Sequence, residues 1–311
     1  MSLRIGVVGA GGFGRAIAQA SARHGHEVVV WSRKERELPD PIRTSTDIMS
    51  MKDRELVFMA VPARHAVEAA EKLGEVVDGR HLMVHISRGL IGPELKTITQ
   101  VIREKTVCRR LGALAGPLVA EALADGRPSG AILGTGFPEL TGMVREALGG
   151  AELRVYETPD VVGVELASAT VGFLTVVLAY AQEVGAGPGT LAVLATRGMA
   201  EVSRIGQTLG AKESTFMGLA GLGDLIAVVA GDDRPEFRLG RALAKGAKLS
   251  SAVGEAGAYI EGIEVAAQMM EHARRLGLET PISSTFVALS EGRISPNDAI
   301  QALMERRVGK E

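Results

Sequence analysis

A chain of 311 residues can hold two domains and a sizeable core, and 46% apolar with 23% charged residues is an ordinary globular composition that excludes a disordered or fibrous chain. The formal net charge is −2 and the lysines and arginines are scattered, which excludes a nucleic-acid footprint and a polybasic membrane patch. The single cysteine, Cys108, cannot form an internal disulfide, which fits a reducing cytoplasm.

The first predicted element is a β-branched run, Arg4–Gly9, that passes straight into GAGGFG. No signal peptide is expected, because the opening apolar run is Gly-rich and continues into this loop. Gly9, Gly11 and Gly14, with Gly12 and Phe13 between them, form G-x-G-x-x-G after a strand and before a helix. The first Gly permits the tight turn, the second lets backbone approach a pyrophosphate, and the third lets helix and strand pack closely. The helix N-terminus then offers unpaired N–H groups to an anion. A second strand, Glu27–Trp31, ends in Trp31-Ser32-Arg33-Lys34. An NAD site usually carries an acid there. Arg33 suits a 2′-phosphate instead and favours NADP; the alternative is a solvated basic loop.

Further strands are predicted at Leu56–Val61, His81–Ile86, Arg109–Leu114, Ser129–Leu133 and Leu153–Tyr156. Several are apolar on successive residues, as parallel strands covered on both faces are. The third runs into Pro62-Ala63-Arg64-His65 and the fourth into Ser87-Arg88-Gly89. Ligands bind beyond the carboxyl ends of such strands, which places Arg88 and His65 toward a cleft. The plain alternative for each is a surface loop, and His85 reads as a packed core histidine.

After about Pro159 nearly everything reads as helix, broken at GAGPG (185–189), GLAGLG (218–223), ETP (279–281) and ISP (294–296). The predicted class is α/β: a Rossmann-type doubly wound, mostly parallel sheet over 1–158, then an all-α domain over 159–311. The stretch between Glu165 and Glu183 carries no charge and approaches the ~20 apolar residues of a membrane span. Ser168, Thr170, Gly172, Thr175 and Gln182 interrupt it, so a helix buried inside the protein is expected and no span.

With GAGGFG, WSR, AVP, SRG, AGPLVAEALADGRPSGA, YETPDVVGVEL, RGMAEVSRIGQTLGA, TFMGLAGLGDL, IEGIEVA and ALMERRVGKE, the chain resembles the bacterial-type NAD(P)-dependent glycerol-3-phosphate dehydrogenase family over nearly its full length. TFMGLAGLGDL and RGMAEV are the most specific pieces. The resemblance implies a Rossmann domain, a helical substrate domain and a homodimer. It also implies reduction of the ketone of dihydroxyacetone phosphate by hydride from NADP or NAD. Cofactor contacts are expected at Gly9, Gly11, Gly12, Phe13, Gly14, Ser32, Arg33, Pro62 and Glu261. The alternative for Glu261 is a plain turn before a helix.

That chemistry needs a cation or acid at the carbonyl oxygen, where negative charge develops. The family uses a lysine in the central helix, in a pattern like G-x-E-L-x-x-A-x-K-N. Here the register runs GVELASATVG, so Val171 and Gly172 stand at the lysine and asparagine positions. Ser87-Arg88-Gly89 replaces S-K-G, Leu118 follows Gly116-Pro117 in place of a serine, Val228 replaces a threonine, and Pro235-Glu236 falls on the phosphate-holding Arg-Asn. Asp224 is retained. Arg88 is therefore expected to polarise the reacting oxygen and Asp224 to position the substrate, the alternative for Asp224 being a helix N-cap. An arginine does not donate a proton near neutral pH, so water or His85 would supply it. The acidic run Asp232-Asp233-Arg234-Pro235-Glu236 argues against a small phosphate ester, unless Arg234 or Arg238 swings into the vacated place. Two readings stay open: an oxidoreductase with an unidentified small-molecule substrate, and a catalytically disabled NADP(H)-binding sensor or interaction protein. No metal is expected.

Overall fold

The computed structural model describes residues 2–150, 152–230, 234–255 and 261–304. The first half alternates strands and helices: β1 (Arg4–Val8), α1 (Gly12–Arg23), β2 (Glu27–Trp31), β3 (Arg43–Ser45), β4 (Leu56–Met59), α2 (Ala66–Gly74), β5 (Leu82–His85), α3 (Ile98–Lys105), β6 (Leu111–Ala115), α4 (Ala120–Asp125), β7 (Ser129–Thr135), α5 (Pro138–Leu148) and β8 (Leu153–Thr158). They form one sheet in the order β3-β2-β1-β4-β5-β6-β7-β8. Every neighbouring pair is parallel except β6 and β7. Strands β1, β2, β4, β5 and β6 are apolar on both faces because each face is covered by helices, which bury one core around Ile5, Val7 and Phe58 and a second around Val8, Val57 and Met59. The chain runs outward from β1 through β2 to β3 and then crosses back to place β4 on the other side of β1. That reversal opens a crevice beyond the carboxyl ends of β1 and β4.

Seven of the eight strands are legible in the sequence. The eighth, β3, is three residues long and partly exposed, pairing with β2 through Val29↔Arg43, Val30↔Thr44 and Trp31↔Ser45. An edge strand of Arg-Thr-Ser carries no apolar alternation, so only pairing reveals it.

The second half is helical: α6 (Val161–Glu183), α7 (Pro188–Thr208), α8 (Glu213–Phe216), α9 (Asp224–Val229), α10 (Pro235–Ala244), α11 (Leu249–Glu255), α12 (Gly262–Arg275), α13 (Pro281–Ser290) and α14 (Pro296–Met304). Asp160 starts α6 by accepting from the Gly163 N–H at 3.0 Å, and its other oxygen accepts from the Lys212 N–H at 2.9 Å and the Thr215 hydroxyl at 2.6 Å. One carboxylate thus caps α6 and fastens α8 to it. α6 is long and apolar enough to cross a membrane, yet it is mostly buried inside the protein. A helix that is apolar all round belongs in a core, and α6 is the spine of this one. Its hydroxyls turn back on their own helix, Thr170 to Ala167 O and Thr175 to Val171 O, both at 2.8 Å. Neighbouring helices come close because they present glycine: a Cβ on Gly240 would stand 2.4 Å from Val176 O, and one on Gly262 would stand 2.6 Å from Phe173 N.

Candidate functional site

The crevice at β1 and β4 is a groove of about 380 Å³ lined by Gly9, Gly11, Trp31, Arg33, Pro62 and Glu68, among others. Each glycine of the first loop has a distinct physical reason. Gly9 has φ 111°, and a Cβ there would lie 2.5 Å from Ala60 O. A Cβ on Gly14 would lie 1.9 Å from Gly9 O, so α1 packs on the loop only with glycine there. Gly11 is different: it is the N-cap of α1, has no side-chain cap, and nothing lies within 4 Å of its built Cβ. Its side is open, and the N–H groups that begin α1 face an anion-sized space. Gly12 is open in the same sense, while Phe13 packs against the sheet core.

Beyond β2, Ser32 lines the groove and its hydroxyl donates to Lys34 O. Arg33, Lys34 and Arg36 line the same end, and Arg33 Nη1 stands 3.5 Å from Glu68 Oε2. Pro62 forms the opposite wall and begins the 3-10 turn Ala63–His65. His65 also lines the groove; burial and then the charges of Arg33 and Arg64 hold its pKa below the usual histidine value. An open helix N-terminus with a basic far end suits an elongated ligand with phosphates.

Glu261, just before α12, reaches back to the turn after Pro62. Its carboxylate accepts from the Arg64 N–H at 3.2 Å and from the Ala63 N–H. Burial pushes its pKa up to about 7, although these N–H groups and the Arg64 charge favour the carboxylate. It sits against Gly89, whose built Cβ would lie 3.5 Å from Glu261 Oε2. Glu261 is thus the turn residue that starts α12, and its carboxylate ties that turn to the segment after Pro62.

The loop after β5 is tied to that wall as well. Ser87 donates to Val61 O at 2.6 Å, and Gly89 packs on Ala63. Between them Arg88 extends toward the helical half. Its Nη2 lies 3.0 Å from Asp224 Oδ2, and Arg234 Nη2 lies 2.7 Å from Asp224 Oδ1. Asp224 is fully buried. It is no N-cap: Gly223 holds that position, and the Asp224 oxygens face two guanidinium groups. The structure therefore joins the two predicted catalytic residues directly. Arg234, the residue before Pro235, is the partner that the sequence offered only as an alternative. Asp232 and Asp233 lie outside the described residues.

The remaining positions settle in the core. Val171 is fully buried. A Cβ on Gly172 would meet Gly262 Cα at 3.5 Å and Glu236 Oε1 at 3.8 Å, so a carboxylate stands near that point of α6. His85 is buried, with Nε2 2.9 Å from Glu165 Oε1 and 3.2 Å from Thr99 Oγ1. Glu165 also accepts from the Thr99 N–H at 2.8 Å. Burial opposes the Glu165 charge, but His85 and Thr99 outweigh it and hold the pKa below the usual range. This pair ties β5, α3 and α6 together, which matches the reading of His85 as a packed core residue.

The model of the NAD-dependent glycerol-3-phosphate dehydrogenase N-terminus matches residues 4–44 and 34–139, and that of its C-terminus matches residues 160–301. A glycerol-3-phosphate dehydrogenase (NAD(P)+) of Dechloromonas aromatica (strain RCB) is 33% identical over 98% of this chain and 98% of its own. One of Stenotrophomonas maltophilia (strain K279a) is 33% identical over 97% of this chain and 95% of its own. Among solved structures, the glycerol-3-phosphate dehydrogenase of Coxiella burnetii superposes with a TM-score of 0.90 at 25% identity, covering 98% of this chain and 99% of that one. With both halves matched by the family models and relatives 33% identical over nearly the whole chain, the chain belongs to the NAD-dependent glycerol-3-phosphate dehydrogenase family.

Proposed function

We propose that the protein is an NAD(P)-dependent oxidoreductase of the glycerol-3-phosphate dehydrogenase type, moving hydride between a nicotinamide and a ketone or secondary alcohol. The observation that carries this reading is that Ser87 and Gly89 fasten the loop bearing Arg88, and with it the Arg88–Asp224–Arg234 cluster, to the Val61–Ala63 segment at the groove wall. Gly9, Gly11, Gly12, Phe13 and Gly14 would receive the pyrophosphate at the start of α1. Ser32 and Arg33 would meet the adenosine ribose, and Pro62 and Glu261 would flank the inner end. When bound, the nicotinamide supplies or accepts the hydride. Arg88 keeps one partly exposed face and polarises the substrate oxygen. Asp224 holds Arg88 in place, and water supplies the proton.

Glycerol 3-phosphate, which the relatives' names carry, is the first substrate to test, together with its oxidation product dihydroxyacetone phosphate. Arg234 turned onto Asp224 offers a displaced cation for a phosphate, one position before the family's Arg-Asn. A second reading, a binding protein that senses NADP(H), is favoured by Val171 in the core at the place of the family's lysine. Fluorescence titration with NADH and NADPH, followed by turnover on a panel of ketones and hydroxy acids, separates the two. Binding with turnover of any panel member supports the enzyme, and binding without it supports the sensor. No binding at millimolar dinucleotide overturns both. The proposed setting is a cytoplasmic homodimer, to be checked by light scattering of the purified chain. The proposed domain division is 1–158 and 159–311.

A further inference from the structure

The acid that a dinucleotide site usually carries at the end of its second strand is missing here, since Trp31-Ser32-Arg33-Lys34 stands there. A carboxylate nevertheless enters the same end of the groove from another element. Glu68, in the first turn of α2, lines the groove together with Arg33, Lys34, Arg36 and His65. Its Oε2 lies 3.5 Å from Arg33 Nη1, and its Oε1 accepts from Lys72 Nζ at 3.0 Å. The Arg33 and Glu68 side chains are 54% and 47% exposed, so their contact faces whatever occupies the groove. Lys72 in turn stands 5.6 Å from the centroid of Trp31, another lining residue. A chain of alternating charge therefore runs along the wall where the adenosine ribose belongs.

The two nicotinamide dinucleotides make opposite demands on this wall. A ribose 2′-hydroxyl is a neutral donor and is well met by a carboxylate. A 2′-phosphate is repelled by that carboxylate and needs the guanidinium instead. Both demands fall on one pair of side chains. We propose that Glu68 sets the balance between NAD and NADP in this protein: its carboxylate accepts the adenosine-ribose hydroxyl of NAD and competes with the 2′-phosphate of NADP for Arg33. This rests on the dinucleotide reading of the groove. The usual sequence rule misses Glu68 because the acid arrives from α2, after β4, rather than at the end of β2.

The test is titration of the full-length protein with NADH, NADPH, adenosine 5′-phosphate and adenosine 2′,5′-bisphosphate. The last two carry the same distinction without the nicotinamide. In Glu68→Gln the ratio Kd(NADH)/Kd(NADPH) is expected to rise about tenfold, the scale of one screened contact between charges near a protein surface. The bisphosphate is expected to tighten and the monophosphate to weaken. Arg33→Gln is expected to move the ratio the other way. Both side chains are exposed, so both variants are expected to fold, and circular dichroism checks this. A ratio unchanged within about twofold in Glu68→Gln, or an equal change for both dinucleotides, overturns the proposal while leaving the dinucleotide groove standing. If none of the four probes binds the unaltered protein, the dinucleotide reading itself falls, and this inference with it.

Discussion

At the scale of single residues, the most consequential group is Asp224, a fully buried carboxylate between two guanidinium groups. Removing one partner of a buried ion pair leaves uncompensated charge, and Asp224→Asn would leave Arg88 and Arg234 facing each other. The expected cost is about 3–5 kcal/mol of stability, read from urea unfolding midpoints. A loss below about 1 kcal/mol would mean that the two arginines find other partners as readily. Glu261 gives a pH-dependent expectation. Its pKa is raised from 4.5 to about 7, so the folded protein binds this proton more tightly than the unfolded chain does. The associated stability is fully present below about pH 4.5 and is lost as the pH rises through about 7. Its size is at most about 3 kcal/mol, and less after partial solvent exposure is allowed for. Unfolding measured at pH 5 and pH 7.5 should show a smaller decline in Glu261→Gln than in the unaltered chain. Equal declines would place the titrating group elsewhere.

At the scale of elements, glycines separate packing from binding. Gly14 and Gly262 lie against backbone, with built Cβ contacts of 1.9 Å to Gly9 O and 2.6 Å to Phe173 N. Alanine at either position forces α1 off its strand or α12 off α6. The expected loss is about 1–3 kcal/mol, the usual range for overpacking, or more at Gly14 where the obstacle is closer. Gly11 has open space around its built Cβ and an ordinary φ of −74°. Gly11→Ala should therefore leave the melting temperature nearly unchanged and still weaken dinucleotide binding at least about tenfold, by placing a methyl where a pyrophosphate must approach. A Gly11→Ala protein that binds NADPH normally would argue that the phosphates lie elsewhere in the groove.

At the scale of the molecule, the sheet half supplies a groove, and the helical half sends Asp224 to Arg88 in the loop after β5 and Glu261 to the Arg64 N–H in the turn after Pro62. In between, α6 serves as a packing spine, and this accounts for its inert sequence. Without a lysine on α6, dihydroxyacetone phosphate reduction is expected far below the median turnover of about 10 s⁻¹, since a lost transition-state charge partner typically costs about 3–4 kcal/mol. Turnover near that median would mean that Arg88 and Arg234 fully replace it. Val171→Lys is not expected to restore the rate. Position 171 is fully buried in the helical core, and an ammonium placed there loses its hydration. The variant should lose stability rather than gain activity, which thermal unfolding and a rate assay together would report.

Much of this was legible in the chain itself, for a common reason: local constraints leave local marks. The glycine loop, seven strands, the buried helix and the helical second half are written as turn chemistry and apolar patterning. The edge strand Arg43–Ser45 was not legible, because it is held by pairing with β2 and not by its own residues. The same limit governed the site. Arg88 and Asp224 were each singled out by their loops, but their contact, and the turning of Arg234 onto the same carboxylate, depend on how the sheet and helical halves meet. Glu68 stands beside Arg33 only because α2 begins next to the end of β2 in space. Sequence alone determined which residues have the chemistry. Only the tertiary structure decided which charges share a site, because ion pairing depends on separation in space, and folding brings together groups that lie far apart along the chain.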